Sequence, residues 1–194
     1  MNPTPEQVKG LWDHMTAKYG TTVKSKADAE EMKLIAKALE LIGILDADKF
    51  LTQFTTTIGS TIYVPFKIGV DSPGHKLWDQ MVICAHEHQH VIQAQTIGFE
   101  FATRYLIDPT WRAVYEGEAY RVSMTMHNWH YGKVPPVAGY VKVIESYGVS
   151  GASQQFFEKY LTMSSKTLEM GGVPDEGAKV ALDWLNQHAP QLQA

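Results

Sequence analysis

Residues 81–92 read MVICAHEHQHVI, and this stretch anchors the predicted fold. Apolar residues flank a histidine-rich centre, and the wider pattern predicts one long helix over residues 76–96. Residues four apart on a helix are separated by about 40° around its axis, so His86 and His90 project from one face. Two imidazoles placed in this way can bind one metal ion.

Glu87 is rotated by about 100° from His86, so it borders a metal held by the histidine pair instead of binding it. A carboxylate in that position can act as a general base toward a water that the metal activates. His88 points about 200° away from His86, which excludes it from the same metal and predicts a surface or supporting histidine.

The chain has one cysteine, Cys84, which excludes an internal disulfide and a thiolate metal cluster. We expect it to pack as a small apolar residue. Any metal must therefore be held by histidine and carboxylate. This ligand set favours Zn²⁺, although copper, cobalt and nickel also bind such ligands.

A catalytic zinc site usually has three protein ligands. One common arrangement takes a third histidine six residues after the second, but Thr96 occupies that position here. The other arrangement takes a glutamate from a second helix, and the candidates are Glu100, Glu116 and Glu118. Glu100 follows His90 so closely that the chain has little room to return.

Helical angles favour Glu116 over Glu118. On a helix predicted over residues 111–131, a polar stripe lies within about 40° of Glu116. Its other members are Tyr120, Ser123, His127 and His130. Glu118 falls on the apolar face, where a carboxylate also needs a cationic partner, so it stays as the alternative third ligand.

The remaining pattern predicts a mostly helical α+β protein with a small sheet. Residues near 60–67 are rich in β-branched and aromatic side chains and predict a strand. Because Pro65 cannot donate to a ladder, we expect an edge strand or a strand end. A little more sheet could lie near residues 55–59.

The other helices are expected in the following positions: residues 5–19, a helix capped by Ser25 and ending near Gly43, one capped by Asp46 or Asp48 and running to Phe54, and residues 99–107, 138–147, 152–169 and 176–188. The length of 194 residues suits one domain, 1–194. We divide it into N-terminal helices (1–55), a catalytic core (56–132) and C-terminal helices (133–194).

A net charge of −4 and a pI near 6.0 give no electrostatic reason to expect nucleic acid or an anionic membrane as a partner. The first residues carry no secretory pattern, and no segment approaches the roughly 18 apolar residues of a membrane span. The default location is therefore cytoplasmic, while leaderless export or delivery stays open.

The motif His86-Glu87-x-x-His90, followed by Glu116-Gly117-Glu118-Ala119, resembles that of the glutamate-zincin metallopeptidases, whose second helix carries E-x-x-A. The resemblance covers about residues 60–131. It implies a zincin-like fold with a sheet packed on the active-site helix, a zinc ion held by His86, His90 and Glu116, and Glu87 as the base.

The resemblance also implies that Ala119 lets the two helices approach, and that Ile62–Phe66 hydrogen-bonds an extended peptide substrate. Tyr120 stands where many of these enzymes have an aspartate that orients a ligand histidine. Support for the ligands must therefore come from other residues.

Peptide hydrolysis also needs a donor for the developing oxyanion. His127 is the first candidate because it lies on the Glu116 stripe, and Tyr120 is the second. His130 and Tyr131 can also donate. Either of the first two could instead be a fourth metal ligand.

The expected function is that of a zinc metallopeptidase acting on peptide or protein substrates. One alternative is a zinc hydrolase of a non-protein amide or acyl compound. Another is an inactive metal-binding protein with a closed site of four ligands. The oligomeric state is left open.

Overall fold

The computed structural model describes residues 1–41, 47–172 and 174–194, and in this part the chain is mostly helical with a small mixed sheet. The predicted α+β class is confirmed at this level. The elements in chain order are α1 (Pro5–Tyr19), β1 (Thr22–Ser25), α2 (Glu30–Leu41), α3 (Ala47–Gln53), β2 (Thr56–Ile58), β3 (Thr61–Val64), α4 (Leu77–Ile97), α5 (Glu100–Ile107), α6 (Pro109–Tyr131), α7 (Val137–Ser146), α8 (Gly151–Glu169), α9 (Glu176–His188) and a 3₁₀ turn (Pro190–Leu192).

Local signals explain why α1 could be predicted. The Thr4 hydroxyl accepts a hydrogen bond from the Gln7 backbone, and the Gln7 side chain accepts one from the Thr4 backbone. Pro5 stands in the first turn, where a missing N–H costs nothing. Gly20 ends the helix at a φ of 63°, a conformation that glycine adopts without strain.

The sheet has the strand order β1-β3-β2. Strand β3 pairs in parallel with β1 and antiparallel with β2, so it is the central strand. Of the two alternatives predicted near 60–67, the edge strand is therefore wrong, and the strand end at Pro65 is confirmed. Pro65 is compatible with a central strand because it lies one residue beyond Val64, outside the paired register.

Sheet near residues 55–59 is confirmed as β2, which forms one edge of the sheet and contacts α4. Strand β1 was not predicted. Ser25, the expected helix cap, is the last residue of β1, and α2 begins at Glu30. The expected helix end near Gly43 and the cap Asp46 lie outside the described residues.

Helix α4 is buried on nearly all sides because it packs against α1, α6 and α9. Gly177 lets α9 come close. A Cβ atom at this position would lie 3.0 Å from the Gln89 side-chain oxygen and 3.2 Å from the Ala85 carbonyl oxygen. The helix that carries the histidine motif therefore sits in the main apolar core.

Helix α6 runs antiparallel to α4. Trp78 near the start of α4 stacks on His130 near the end of α6, with ring centroids 3.9 Å apart. Gln93 near the end of α4 donates to the Tyr115 carbonyl near the start of α6, at 3.0 Å. The polar stripe predicted on α6 is therefore directed toward α4.

The C-terminal helices α7, α8 and α9 lie within about one residue of the predicted ranges. Helices α7 and α8 enclose a second apolar core against α6, in which Phe157 and Leu161 are fully buried. The Phe157 ring also meets the ring of Tyr120 edge-on, with centroids 5.8 Å apart. No helix in the described part of the chain has both the length and the apolar character that crossing a membrane requires.

We expect Phe157→Ala to lower the free energy of unfolding by about 3–5 kcal/mol, because it leaves a cavity against α6. Urea denaturation measures this loss. Phe156→Ala is the matched control, since Phe156 is 43% exposed and its removal should cost about 1 kcal/mol or less. Equal losses from the two substitutions would contradict this packing.

Candidate metal centre

His86 and His90 on α4 meet Glu116 on α6. The His86 Nε2 atom lies 3.7 Å from Glu116 Oε2, and His90 Nε2 lies 3.5 Å from Glu116 Oε1. One ligand atom from each residue falls within 4.8 Å of the others, so this group could hold a metal ion. The structure thus brings together the three residues that the sequence predicted as ligands.

Two small residues on α6 lie beside the histidines. Ala119, one turn after Glu116, is fully buried, as expected where two helices approach closely. Ser123, one turn further, places its hydroxyl 3.0 Å from His86 Nδ1. Because the same hydroxyl donates to the Ala119 carbonyl, it accepts from His86 Nδ1–H. His86 Nε2 is thereby left as the metal-binding nitrogen.

His90 is oriented by Gln93, whose side-chain oxygen lies 2.8 Å from His90 Nδ1. The Gln93 amide nitrogen donates to the Tyr115 carbonyl and, at 2.7 Å, to Glu118. These two acceptors fix the direction of the amide, so its oxygen accepts from His90 Nδ1–H. Ser123 and Gln93 are thus the residues that orient the two candidate ligand histidines.

Glu116 is buried, and its two oxygens have different surroundings. Oε1 accepts a hydrogen bond of 2.5 Å from the Tyr105 hydroxyl. Oε2 has no hydrogen-bond partner among the described residues. A buried carboxylate oxygen without a donor is costly unless a cation is close. This unpaired oxygen lies 3.7 Å from the Nε2 atom of His86 and suits a metal ion.

The charge balance supports the same interpretation. Burial alone would raise the pKa of Glu116, but the imidazoles of His90 and His86 hold it well below its usual range. Burial would lower the pKa of His90, but the charge of Glu116 raises it to about 9. A positive charge beside Glu116 is therefore favoured, whether a proton or a metal ion carries it.

The distances between the residues also suit a metal ion. Ligands about 2.1 Å from a tetrahedral ion are separated by about 3.4 Å. Glu116 Oε2 lies 3.7 Å from His86 Nε2, and Glu116 Oε1 lies 3.5 Å from His90 Nε2. Two nitrogens and one carboxylate oxygen form a donor set that zinc accepts, together with cobalt, nickel and copper.

Glu87 lies beside the cluster without belonging to it. Its carboxylate accepts a hydrogen bond of 2.7 Å from the Thr57 hydroxyl on β2. Both residues line one cavity with the three candidate ligands. Sequence reasoning missed Thr57, because nothing in the local pattern connects residues 30 positions apart.

The cavity has a volume of about 330 Å³, and the candidate metal ligands lie in its wall. Most of the remaining lining is apolar, from Ile35, Phe50, Phe54, Ile58, Phe101 and Leu106. Arg112 also lines it, but the guanidinium donates to the carbonyls of Tyr105, Leu106 and Tyr147. The cavity therefore offers a group of residues that could hold a metal ion, one neighbouring carboxylate and apolar walls.

Two further tyrosines stand near the cluster, in addition to Tyr105. Tyr147, directly after α7, lines the cavity. Burial, followed by the charges of Glu116 and Glu87, raises the pKa of its hydroxyl well above the usual value, so the hydroxyl stays protonated. The Tyr120 ring meets the His86 ring edge-on at 4.8 Å. The cavity lining does not include Tyr120.

The structure does not bring His127, His130 or Tyr131 to the cluster. His127 lies eleven residues after Glu116, about 16 Å further along α6, where it accepts a hydrogen bond from the Trp78 indole. Tyr131 and His130 pack around the same indole. The oxyanion role considered for His127 therefore has no geometric support.

His88 points away from the cluster, as predicted, but it is fully buried and not a surface histidine. It packs between Trp12 and Tyr19, and burial lowers its pKa to about 4. Cys84 is buried, as expected. Of the other candidate ligands, Glu100 pairs with Arg104 on the surface, and Glu118 accepts from Gln93.

Comparisons of this chain with known protein families, with curated proteins and with solved structures found no match.

We expect Glu116→Gln to weaken zinc binding by more than about 100-fold, beyond the 10–100-fold loss typical of a residue that only supports a ligand. The physical reason is the loss of the one negative charge among the three ligands. Competition with a chromophoric chelator at neutral pH measures the affinity. Glu118→Gln is the matched variant and should lose at most about 10–100-fold. A larger loss in Glu118→Gln would make Glu118 the third ligand.

Proposed function

We propose that this protein is a zinc-dependent hydrolase that cleaves peptide bonds, of the glutamate-zincin type. One observation carries the proposal. Glu87, a carboxylate outside the His86–His90–Glu116 cluster, faces the same cavity as the cluster. A metal site that served stability alone would have no use for this second carboxylate.

Zinc bound to the cluster would supply a Lewis acid that acidifies a water molecule and polarises a carbonyl group. Glu87 would accept the proton of that water and deliver it to the leaving nitrogen. Thr57 donates to one carboxylate oxygen of Glu87 and so fixes the direction of the other. Ser123 and Gln93 keep the Nε2 atoms of the two histidines directed at Glu116.

Strand β2 is the part of the sheet suited to hold an extended substrate. It is an edge strand, and Thr56, Thr57 and Ile58 all line the cavity. The strand predicted for this task, Ile62–Phe66, overlaps β3, which is paired on both sides. We therefore propose that an extended substrate pairs with β2 by strand addition. The apolar walls favour a substrate with a bulky apolar side chain next to the cleaved bond.

Tyr147 is the proposed donor to the developing oxyanion. It lines the cavity with the cluster, and its raised pKa keeps the proton on the hydroxyl. Tyr120 would support the site indirectly, because it contacts His86 and Tyr147 without lining the cavity itself.

We expect Glu87→Gln to retain zinc affinity while hydrolysis falls by about 10²–10⁴-fold, since an amide cannot accept the proton. The measurement is cleavage of a mixed peptide library, read by mass spectrometry, with and without a chelator. Glu100→Gln on the surface is the control and should match the unsubstituted protein. Undiminished hydrolysis by Glu87→Gln would refute the mechanism. A protein that binds zinc but shows no chelator-sensitive peptide cleavage would refute the peptidase assignment.

We expect Tyr147→Phe to lower kcat by about 10²–10³-fold with little change in KM, because its hydroxyl would bind only the charge that develops during reaction. Steady-state kinetics on a cleaved peptide measure both constants. Tyr131→Phe, at the distant end of α6, should leave both unchanged. An unchanged kcat in Tyr147→Phe would refute the oxyanion role proposed for Tyr147.

A further inference from the structure

Lys26 is a buried cation that the proposed mechanism does not use. Its side chain is fully buried. It follows β1 directly, and its backbone N–H donates to the Val64 carbonyl at 2.8 Å, which extends the pairing of β1 with β3. The backbone of Lys26 is therefore anchored to the sheet.

The ammonium group of Lys26 contacts three residues that line the cavity. It donates to the Phe54 carbonyl at 2.8 Å and to the Thr56 hydroxyl at 2.7 Å. It also lies 3.5 Å from the centre of the Phe50 ring, a cation–π contact. The cavity lining includes Phe50, Phe54 and Thr56 but not Lys26. The ammonium group therefore contacts this part of the cavity wall from the side away from the cavity.

A lysine is a costly residue at such a position. Burial lowers the pKa of Lys26 to about 7, although the charge of Glu87 acts in the opposite direction. An apolar side chain of similar length would fill the same space without a desolvation cost. The desolvation cost of this lysine therefore indicates that the contacts of its ammonium group serve a function.

The segment that Lys26 holds continues directly to the general base. Thr56 accepts from Lys26, and the next residue, Thr57, donates to Glu87. We propose that Lys26 is a positioning residue, which fixes the Phe50–Thr56 wall so that Thr57 meets Glu87 and β2 keeps its place beside the metal cluster. This role rests on the proposed function only in its effect on catalysis. The effect on β2 itself is independent of any activity.

The test compares Lys26→Met with Lys24→Met, which removes an exposed lysine two residues earlier, on β1. In Lys26→Met we expect amide hydrogen exchange of residues 54–58 to become faster by about tenfold or more. Zinc affinity should fall by less than the 10–100-fold loss typical of a residue that supports a metal ligand. The kcat for peptide cleavage should fall by about 10–100-fold, the cost of a misplaced catalytic group. Lys24→Met should change none of these.

A double substitution separates positioning from a general structural role. If Lys26 acts through Thr57, then Lys26→Met should lower kcat much less in a Thr57→Val background than in the unsubstituted protein. Equal fold-losses in both backgrounds would overturn the proposal, as would unchanged hydrogen exchange in Lys26→Met.

Thr56→Val provides a milder variant if Lys26→Met does not fold. It removes one acceptor of Lys26 and should accelerate exchange at residues 54–58 in the same direction, while unchanged exchange would count against the proposal. If the unsubstituted protein cleaves no peptide, the proposed function fails. The exchange measurement still decides whether Lys26 holds β2.

Discussion

The buried carboxylate of Glu116 is the constraint on which the rest of the site depends. An ionised carboxylate in an apolar interior is tolerated only with donors or cations close by. Tyr105 satisfies one oxygen, and His86 and His90 face the group from α4. This requirement fixes the relative position of α4 and α6, because a shift of one turn would move both imidazoles away from Glu116.

Two kinds of structure surround this contact: long helices packed closely around α4, and shorter elements that line the cavity. Helix α4 is enclosed by α1, α6 and α9, and hydrogen bonds within the α4–α6 pair orient both histidines. The rest of the cavity lining comes mainly from α2, α3, β2, α5 and the residues that follow α3 and α7. The proposed catalytic groups therefore lie on long packed helices and the proposed substrate contacts lie on shorter segments, a common division of roles in enzymes.

The helical part of this arrangement could be predicted because it follows from local periodicity. The angle of 100° per residue places His86 and His90 together, excludes His88 and selects Glu116 over Glu118. The sheet could not be predicted in the same way. Strand β1 is a polar segment of four residues whose partner begins about 40 positions later, so its own pattern did not reveal the pairing. Without β1, strand β3 has a partner on one side only and the sequence pattern alone predicts an edge.

Angular spacing within each helix was enough to single out His86 and His90 as a pair of candidate ligands, Glu87 beside them, and Glu116 as the favoured third ligand. The meeting of Glu116 with the histidine pair, and the residues that complete the candidate site, depend on how α4 packs against α6 and are seen only in the tertiary structure. Helical periodicity gives a direction around an axis but not a position along the partner helix, so His127 shares the stripe of Glu116 and yet meets Trp78. Thr57, Tyr147 and Lys26 reach the site through contacts between distant parts of the chain, which no local pattern encodes.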